Sequence, residues 1–411
     1  MSQFQHSRVD CILTYLGLVF LLSDICLDLG TAVTFYQEED YVCLGVLLFL
    51  LLGSSVLVQI FSWLWYTNEP LERATLVESR ISRSQLKILH VFQLGTYFRH
   101  ASVMEVTACS CINNIQEADG HAVFLTHDLS MLRLIETFSE SAPQLTLMLT
   151  IMLRRDQLVP LTVTKALGSA SAMALSVTMY HRSMRSFLCD KQKQRPLSSL
   201  AYFLWTVVLI SSRLAALALF ASTLPCFIFA HFLCSWLLMF FCAWRCQTDF
   251  MDSPGGEWLY RATVGLIWYF NWFNVVEGRT RNRTLLYHGF ILVDMFVLCG
   301  TWCWRARAQM SFLHAGLVSV GVVALYILGL VLKVLYYKFF HPNLNKEELK
   351  GGDKEVDLDG DVVLVMQPSA VESDVVVVVQ RSAVEDVIDG RTPHVQLYNK
   401  RMRKLAENFY C

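Results

Sequence analysis

The chain has 411 residues, of which 54% are hydrophobic and 17% are charged, and its net charge is −1. Soluble domains carry about 25% charged residues, so this composition excludes an ordinary soluble globular protein. Long apolar stretches indicate an all-α polytopic membrane protein instead, and the near-zero net charge gives no reason to expect nucleic acid as a partner.

Apolar stretches of sufficient length predict eight membrane-spanning helices. In chain order they lie at 11–36, 42–66, 129–153, 158–180, 199–222, 226–246, 284–304 and 312–340. Two further segments, 84–105 and 257–276, are less regular. The first is amphipathic, and the second is aromatic and apolar but flanked by polar loops.

The placement of Lys and Arg predicts the orientation, because cytoplasmic loops are enriched in both. The loop after the first span contains neither residue, whereas the loop after the second span, 181–197 and 277–283 are basic. These basic loops share one side if both termini are cytoplasmic and the two irregular segments are re-entrant or interfacial. Ten ordinary spans remain an alternative, which places 277–283 outside.

With re-entrant segments, the order span, span, re-entrant segment, span, span occurs twice. The sequence therefore predicts two four-span repeats, 1–180 and 199–340, joined by a cytoplasmic linker at 181–198. An acidic, disordered cytoplasmic linker at 341–390 and a basic amphipathic helix at 391–411 complete the predicted organisation.

Charged residues interrupt several predicted spans, although each costs about 2.5–3.5 kcal/mol at the bilayer centre on insertion scales. Six of those singled out lie within predicted spans, Asp24, Asp28, Glu136, Glu140, Arg213 and Asp294, and two lie at span ends, Asp10 and Arg182. Asp24 and Asp28 share one helical face, and Arg133, Glu136 and Glu140 form a stripe that Pro143 interrupts.

Three interpretations of these charges stay open. Asp24, Asp28, Glu136 and Glu140 suit a hydrated path for a lipid headgroup, and equally one for an ion or a small solute. Structural ion pairs between helices are the second interpretation. Snorkelling at a span end is the third, and it is adequate for Asp10 and Arg182.

Motifs for catalysis and metal binding are missing from the sequence. It has no phosphate loop, nucleophile elbow, zinc-spaced His/Cys cluster or EF-hand loop. We therefore expect neither an enzyme nor a resident metal or cofactor.

The C-terminal segment combines a periodic apolar face with a protease motif. Four apolar residues at i, i+4, i+7 and i+11 predict the amphipathic helix: Tyr398, Met402, Leu405 and Phe409. Just before it, Asp386, Asp389 and Gly390 form D-x-x-D-G, the kind of peptide that executioner caspases cut, and a weaker candidate ends at Asp359. The helix either lies on anionic lipid or acts as an autoinhibitory plug that cutting releases.

Four stretches resemble the XK-related family, in its branch of caspase-activated phospholipid scramblases. They are SMLRLIETFSESAPQLTLMLTIML, TDFMDSPGGEWLYRATVGLIWYFNWFNVVEGRTR, VLYYKFFHP and NKRMRKLAENFY. The resemblance implies two four-helix repeats, a polar cleft for headgroups formed by the eight charged residues above, and cleavage after Asp389. Met179 is a departure, since an acidic residue is expected there.

The resemblance also implies a biological role and partners. The protein would reside in the plasma membrane and be activated by caspase-3. It would then move phospholipids in both directions without ATP and expose phosphatidylserine on apoptotic cells. A single-span chaperone, basigin or neuroplastin, would accompany it.

Two other classes of function remain from the residues themselves. One is a secondary transporter of a small polar solute or ion, with a regulatory tail. The other is a structural membrane partner. The boundary between acidic linker and basic helix favours the scramblase, because a transporter needs no irreversible release step.

Overall fold

A computed structural model of the chain describes residues 8–68, 75–113, 118–155, 160–187, 194–251, 253–275, 280–306 and 312–340. Regular structure within these ranges is entirely helical, which confirms the all-α prediction. The predictions for the C-terminal segment lie outside the described residues. They concern the linker at 341–390, the protease motif at Asp386, Asp389 and Gly390, and the helix carrying Tyr398, Met402, Leu405 and Phe409.

Thirteen α-helices and two π-helical turns make up the described structure. They are α1 (Arg8–Gln37), α2 (Tyr41–Asn68), α3 (Leu76–Ser79), α4 (Arg83–Val91), α5 (Gly95–Asn113), α6 (Ala118–Glu136), a π-helical turn (Thr137–Ser141), α7 (Ala142–Arg155), α8 (Pro160–Phe187), α9 (Pro196–Thr223), α10 (Phe227–Arg245), α11 (Pro254–Phe270), α12 (Thr280–Ala306), α13 (Phe312–Leu335) and a second π-helical turn (Tyr336–Phe340).

Six of these helices are long and apolar enough to cross a membrane: α1, α2, α9, α10, α12 and α13. The two other predicted spans, 129–153 and 158–180, coincide with α6–α7 and with α8. These helices are less apolar, and they pack against other helices: α6 on α8, α7 on α9, and α8 on α9. A helix enclosed by protein can carry polar side chains that lipid would reject.

Helix α9 occupies the centre of the fold. In its apolar stretch 67% of the residues are buried, compared with 11% for α1. It contacts α7, α8, α12 and α13. Gly329 of α13 allows a close approach to α9, because a Cβ there would lie 2.6 Å from Leu209 Cδ2. Small residues at such crossings are typical of helix packing in membranes.

The segment 84–105 is bent rather than one straight helix. Ser82 and Gln85 form a capping box at the start of α4. At its end Gln93 has a φ of 63°, and Leu94 N donates to Leu89 O at 2.8 Å. This left-handed residue with a six-to-one hydrogen bond is a Schellman ending, after which Gly95 starts α5.

The segment 257–276 is also irregular, since α11 ends at Phe270 and Asn271–Val275 is not helical. Trp268 Nε1 donates to Phe273 O at 2.5 Å, and Phe273 and Val275 are buried. Protein thus covers the non-helical backbone of this segment, and its re-entrant topology stays a prediction.

Gly265 is expected to be essential for packing α11 against α10. A Cβ at this position would lie 2.9 Å from Phe240 N and 3.1 Å from Phe240 Cα, and backbone atoms yield less easily than side chains. We expect Gly265→Ala to destabilise the protein by about 1–3 kcal/mol. Thermal unfolding of the detergent-solubilised protein should show a lower Tm. Gly300→Ala is the control, since nothing lies within 4 Å of its added Cβ, and equal Tm values would contradict the prediction.

Candidate functional site

The eight charged residues singled out in the sequence fall into three separate groups in the structure. Asp10 pairs with Arg182, and Arg213 pairs with Asp294. The remaining four, Asp24, Asp28, Glu136 and Glu140, lie together and are called the carboxylate cluster below.

The carboxylate cluster brings α1 against the junction of α6 and α7. Oxygen atoms of Asp24, Asp28 and Glu140 all lie within 4.8 Å of one another. Glu136 is the fourth member, and its Oε2 accepts a hydrogen bond from Arg133 Nη1 at 2.8 Å. Among the described residues, four carboxyl groups therefore face one directly bonded cation, Arg133.

A π-helical turn presents Glu140 to the cluster. Ala142 N donates to Thr137 O, five residues back, so one extra residue is inserted into the helix between α6 and α7. Pro143 follows at once and has no N–H to continue the α-helical ladder. The sequence predicted an interruption at Pro143, and the structure shows that it takes the form of this single wide turn, a feature often found at functional sites.

Two residues that the sequence reasoning missed complete the cluster. Gln144 Nε2 donates to Asp28 Oδ1, and Ser141 Oγ donates to Asp24 Oδ2 at 3.4 Å. The sequence could have indicated Gln144, because it follows Glu140 by four residues and so continues the helical stripe of Arg133, Glu136 and Glu140. The polar stripe is thus longer than the charged residues alone indicated.

Lys165 of α8 is a third missed residue. Its Nζ donates to Leu27 O at 2.9 Å and to Oγ1 of Thr31. Both acceptors belong to α1 and lie within one helical turn of Asp28. Sequence spacing could not assign Lys165 to the cluster, because its contacts on α1 are 134 and 138 residues away in the chain.

Empty space adjoins the carboxylate cluster. A cavity of about 280 Å³ lies between α1, α2, α5 and α6, and Asp28, Glu136 and Glu140 line it. A second cavity of about 60 Å³ runs beside 13–20 of α1, and both cavities are lined by His100 and Arg133. Together they follow α1 from Leu13 to Ala32.

The outer surfaces of the helices that bound this space are apolar. Leu29 of α1 is 65% exposed, and Leu52 of α2 is 63% exposed, although both also line the larger cavity. Exposed leucines on such apolar helices are suited to contact with lipid. The polar interior and a lipid-facing surface therefore meet at α1 and α2.

Asp10 and Arg182 form a different contact at the Arg8 end of α1. Arg182 Nη2 lies 2.5 Å from Asp10 Oδ1, and its Nη1 donates to Gln194 O at 3.1 Å. Asp10 and Asp24 are 14 residues apart, which is about 21 Å along a helix. The pair thus joins α1, α8 and the segment before α9, away from the carboxylate cluster.

Arg213 and Asp294 belong to a buried network in the second half of the chain. Arg213 Nη1 lies 2.5 Å from Asp294 Oδ2, and His231 Nε2 lies 2.9 Å from Asp294 Oδ1. His231 Nδ1 in turn lies 3.0 Å from the hydroxyl of Tyr269. These contacts join α9, α10, α11 and α12. Neither Arg213 nor Asp294 lines the two cavities, so their geometry is that of structural pairing between helices.

Comparison with known proteins decides the family. A family model described as XK-related protein matches residues 12–342, which include the carboxylate cluster and both paired arginines. The chain belongs to the XK-related family. This confirms the resemblance seen in the sequence motifs.

Individual relatives of this XK-related protein align over most of its length. It is 45% identical over 349 residues to XK-related protein 8 of Tetraodon nigroviridis, covering 84% of this chain and 86% of that protein. It is 38% identical over 343 residues to XK-related protein 8 of Pan troglodytes, covering 81% and 84%. XK-related protein 9 of Tetraodon nigroviridis is 31% identical over 355 residues, covering 83% and 92%.

Removing the carboxylate of Asp294 should destabilise the fold. Arg213 is only 1% exposed, and breaking a buried ion pair typically costs about 3–5 kcal/mol, because a charge is left without its partner. We expect Asp294→Asn to lower the Tm of the purified protein strongly.

A matched control is the pair between Arg155 and Glu38, which has the same 2.5 Å separation but is 40% exposed on both sides. Glu38→Gln should change the stability by less than about 1 kcal/mol. Equal effects of the two substitutions would show that the network around Arg213 is not buried as described.

Proposed function

We propose that this XK-related protein is a phospholipid scramblase that is activated when an executioner caspase cuts after Asp389. It moves phospholipids in both directions without ATP and so exposes phosphatidylserine on apoptotic cells. The observation that carries the proposal is the carboxylate cluster, which lies beside a 280 Å³ cavity behind lipid-facing helices.

The proposed topology has eight spans and cytoplasmic termini in the plasma membrane. Six of the spans are the apolar helices. The other two are α6–α7 and α8, which are more polar and are enclosed by protein. The bent segment α4–α5 and the segment formed by α11 and Asn271–Val275 are re-entrant. This arrangement gives two four-span repeats and keeps the basic loops on one side.

Scrambling requires a polar route for the headgroup while the acyl chains remain in lipid. A headgroup entering between α1 and α2 meets Asp28, Glu136 and Glu140 on the cavity wall. These groups replace part of the water that it loses, which lowers the cost of crossing. Because neither direction is driven, lipids equilibrate down their own gradients and ATP is not needed.

The C-terminal segment supplies the proposed regulation. A helix tethered to its binding site has a high effective concentration, so even a weak contact keeps it bound. Cleavage between Asp389 and Gly390 removes the tether, and the helix dissociates. Caspase-3 is the proposed protease, and a single-span chaperone of the basigin or neuroplastin type is the proposed partner during transport to the surface.

A secondary transporter is the second candidate. Three carboxylate oxygens within 4.8 Å of one another could serve a cation as well as a lipid amine. In that case the protein would move a small ion or solute, and its lipids would stay in their own leaflets.

Lipid movement before and after cleavage tests the proposal directly. Purified protein is placed in liposomes that contain a fluorescent phospholipid, and dithionite bleaches the dye in the outer leaflet. We expect bleaching to remain limited to the outer leaflet with intact protein and to become nearly complete after caspase-3. Asp389→Ala should stay inactive after the same treatment.

Asp359→Ala is the matched control, because it removes the weaker protease motif and should leave activation intact. If wild-type protein is cut but bleaching remains confined to the outer leaflet, the scramblase proposal is wrong for the isolated protein. An ion-flux measurement on the same liposomes then tests the transporter.

Neutralising the α1 carboxylates should lower the rate at which the caspase-cleaved protein moves lipids across the bilayer. Asp24→Asn combined with Asp28→Asn retains side-chain size and some hydrogen bonding but removes two charges from the path. We expect the rate of lipid movement to fall about tenfold, because losing one charge-assisted interaction costs about 1.5–3 kcal/mol. Expression of the double variant should be normal. Glu39→Gln, in the exposed turn after α1, is the control. Loss of expression in the double variant would instead indicate a structural role for the two aspartates.

A further inference from the structure

Lys165 lies on the exposed border between α1 and α8, and the mechanism above does not use it. Leu27 and Leu167, on the same border, are 40% and 67% exposed. Exposed apolar residues in such helices are suited to lipid contact. A lysine there is costly unless its ammonium group has polar partners. The partners of Lys165 therefore indicate its role.

Neutral groups hold the ammonium of Lys165. Its Nζ donates to Leu27 O and to Oγ1 of Thr31. Thr31 Oγ1 donates to the same carbonyl at 2.7 Å, so the three groups form a closed triangle. This triangle fixes the ammonium against α1, whereas a snorkelling lysine would extend along the membrane normal toward water.

The ammonium retains binding capacity. A lysine ammonium has three N–H donors, and two are used by Leu27 and Thr31. Among the residues that the structure describes, Lys165 is in no direct ion pair. Within the described part of the chain, a positive charge with one N–H left over is therefore held against α1, next to the residue that precedes Asp28.

The carboxylate cluster begins beside this cation. Lys165 Nζ donates to Leu27 O at 2.9 Å, and Leu27 directly precedes Asp28 in α1. A cation next to carboxylates is complementary to a headgroup in which a phosphate and an amine are joined by a short linker. Carboxylates alone would repel the phosphate.

We propose that Lys165 binds the phosphate of a phospholipid headgroup while Asp24 and Asp28 face the amine. Lys165 thereby gives the path a preference for lipids that carry a phosphate. This inference rests on the proposed scramblase function and names the chemical group that the path recognises at its Lys165 end.

The test measures how fast two fluorescent lipids cross the bilayer of liposomes that contain the full chain after caspase cleavage. Phosphatidylcholine carries a phosphate, and glucosylceramide does not. We expect wild-type protein to move phosphatidylcholine faster. Lys165→Gln should lose that preference through a rate for phosphatidylcholine about tenfold lower, the order for losing one hydrogen bond to a charged group. Lys165→Arg should retain the preference, and Lys87→Gln in α4 is the unrelated control.

Each result distinguishes the inference from the proposed function. If wild-type protein moves neither lipid after cleavage, the scramblase proposal itself fails. If Lys165→Gln slows both lipids equally, or neither, the scramblase stands but phosphate recognition by Lys165 is wrong. Should Lys165→Gln not fold, Thr31→Val releases the ammonium from one acceptor and should reduce the preference for phosphatidylcholine. An unchanged preference in that variant overturns the inference.

Discussion

The structure depends on one constraint: each charged side chain within an apolar helix needs polar partners or water, because lipid offers it no hydrogen bonds. Arg213 and Asp294 meet the constraint by pairing with each other and with His231. Asp10 and Arg182 meet it near the helix ends. The carboxylate cluster does not meet it by pairing alone. Its carboxyl groups adjoin a cavity instead, which is the feature that led us to propose a headgroup path there rather than a structural ion pair.

The membrane-spanning candidates differ in how deeply they are buried. Helix α9 is surrounded by protein, and glycines at 265 and 329 bring helices into close contact around it. Helix α1 is peripheral, with 11% of its apolar stretch buried, and it contacts α2, α5 and α8. Peripheral helices with few buried contacts open at lower free energy than a core helix. Helix α1, which bounds the proposed lipid path, is therefore better suited to move than α9.

The π-helical turn at Thr137–Ser141 links the fold to the site. Pro143 prevents a regular α-helix from continuing through this segment, and the wide turn absorbs the change. The same turn places Glu140 beside Asp24 and Asp28, and α7 then presents Gln144 to Asp28. The break in the α-helix and the position of Glu140 in the proposed headgroup site thus depend on the same turn.

Local patterns in the sequence were enough to predict the all-α class, the six apolar spans and the shared faces of the α1 aspartates and of the stripe from Arg133 to Glu140. Hydropathy and helical periodicity depend on neighbouring residues, so they can be read along the chain. Average hydropathy describes 129–153 and 158–180 less well, because protein rather than lipid surrounds much of these helices. Only the tertiary structure decided which charges are paired and which adjoin a cavity. Periodicity gives the face of a helix but not its partner, and the contacts of Asp24 with Ser141 and of Lys165 with Thr31 join residues more than 100 positions apart.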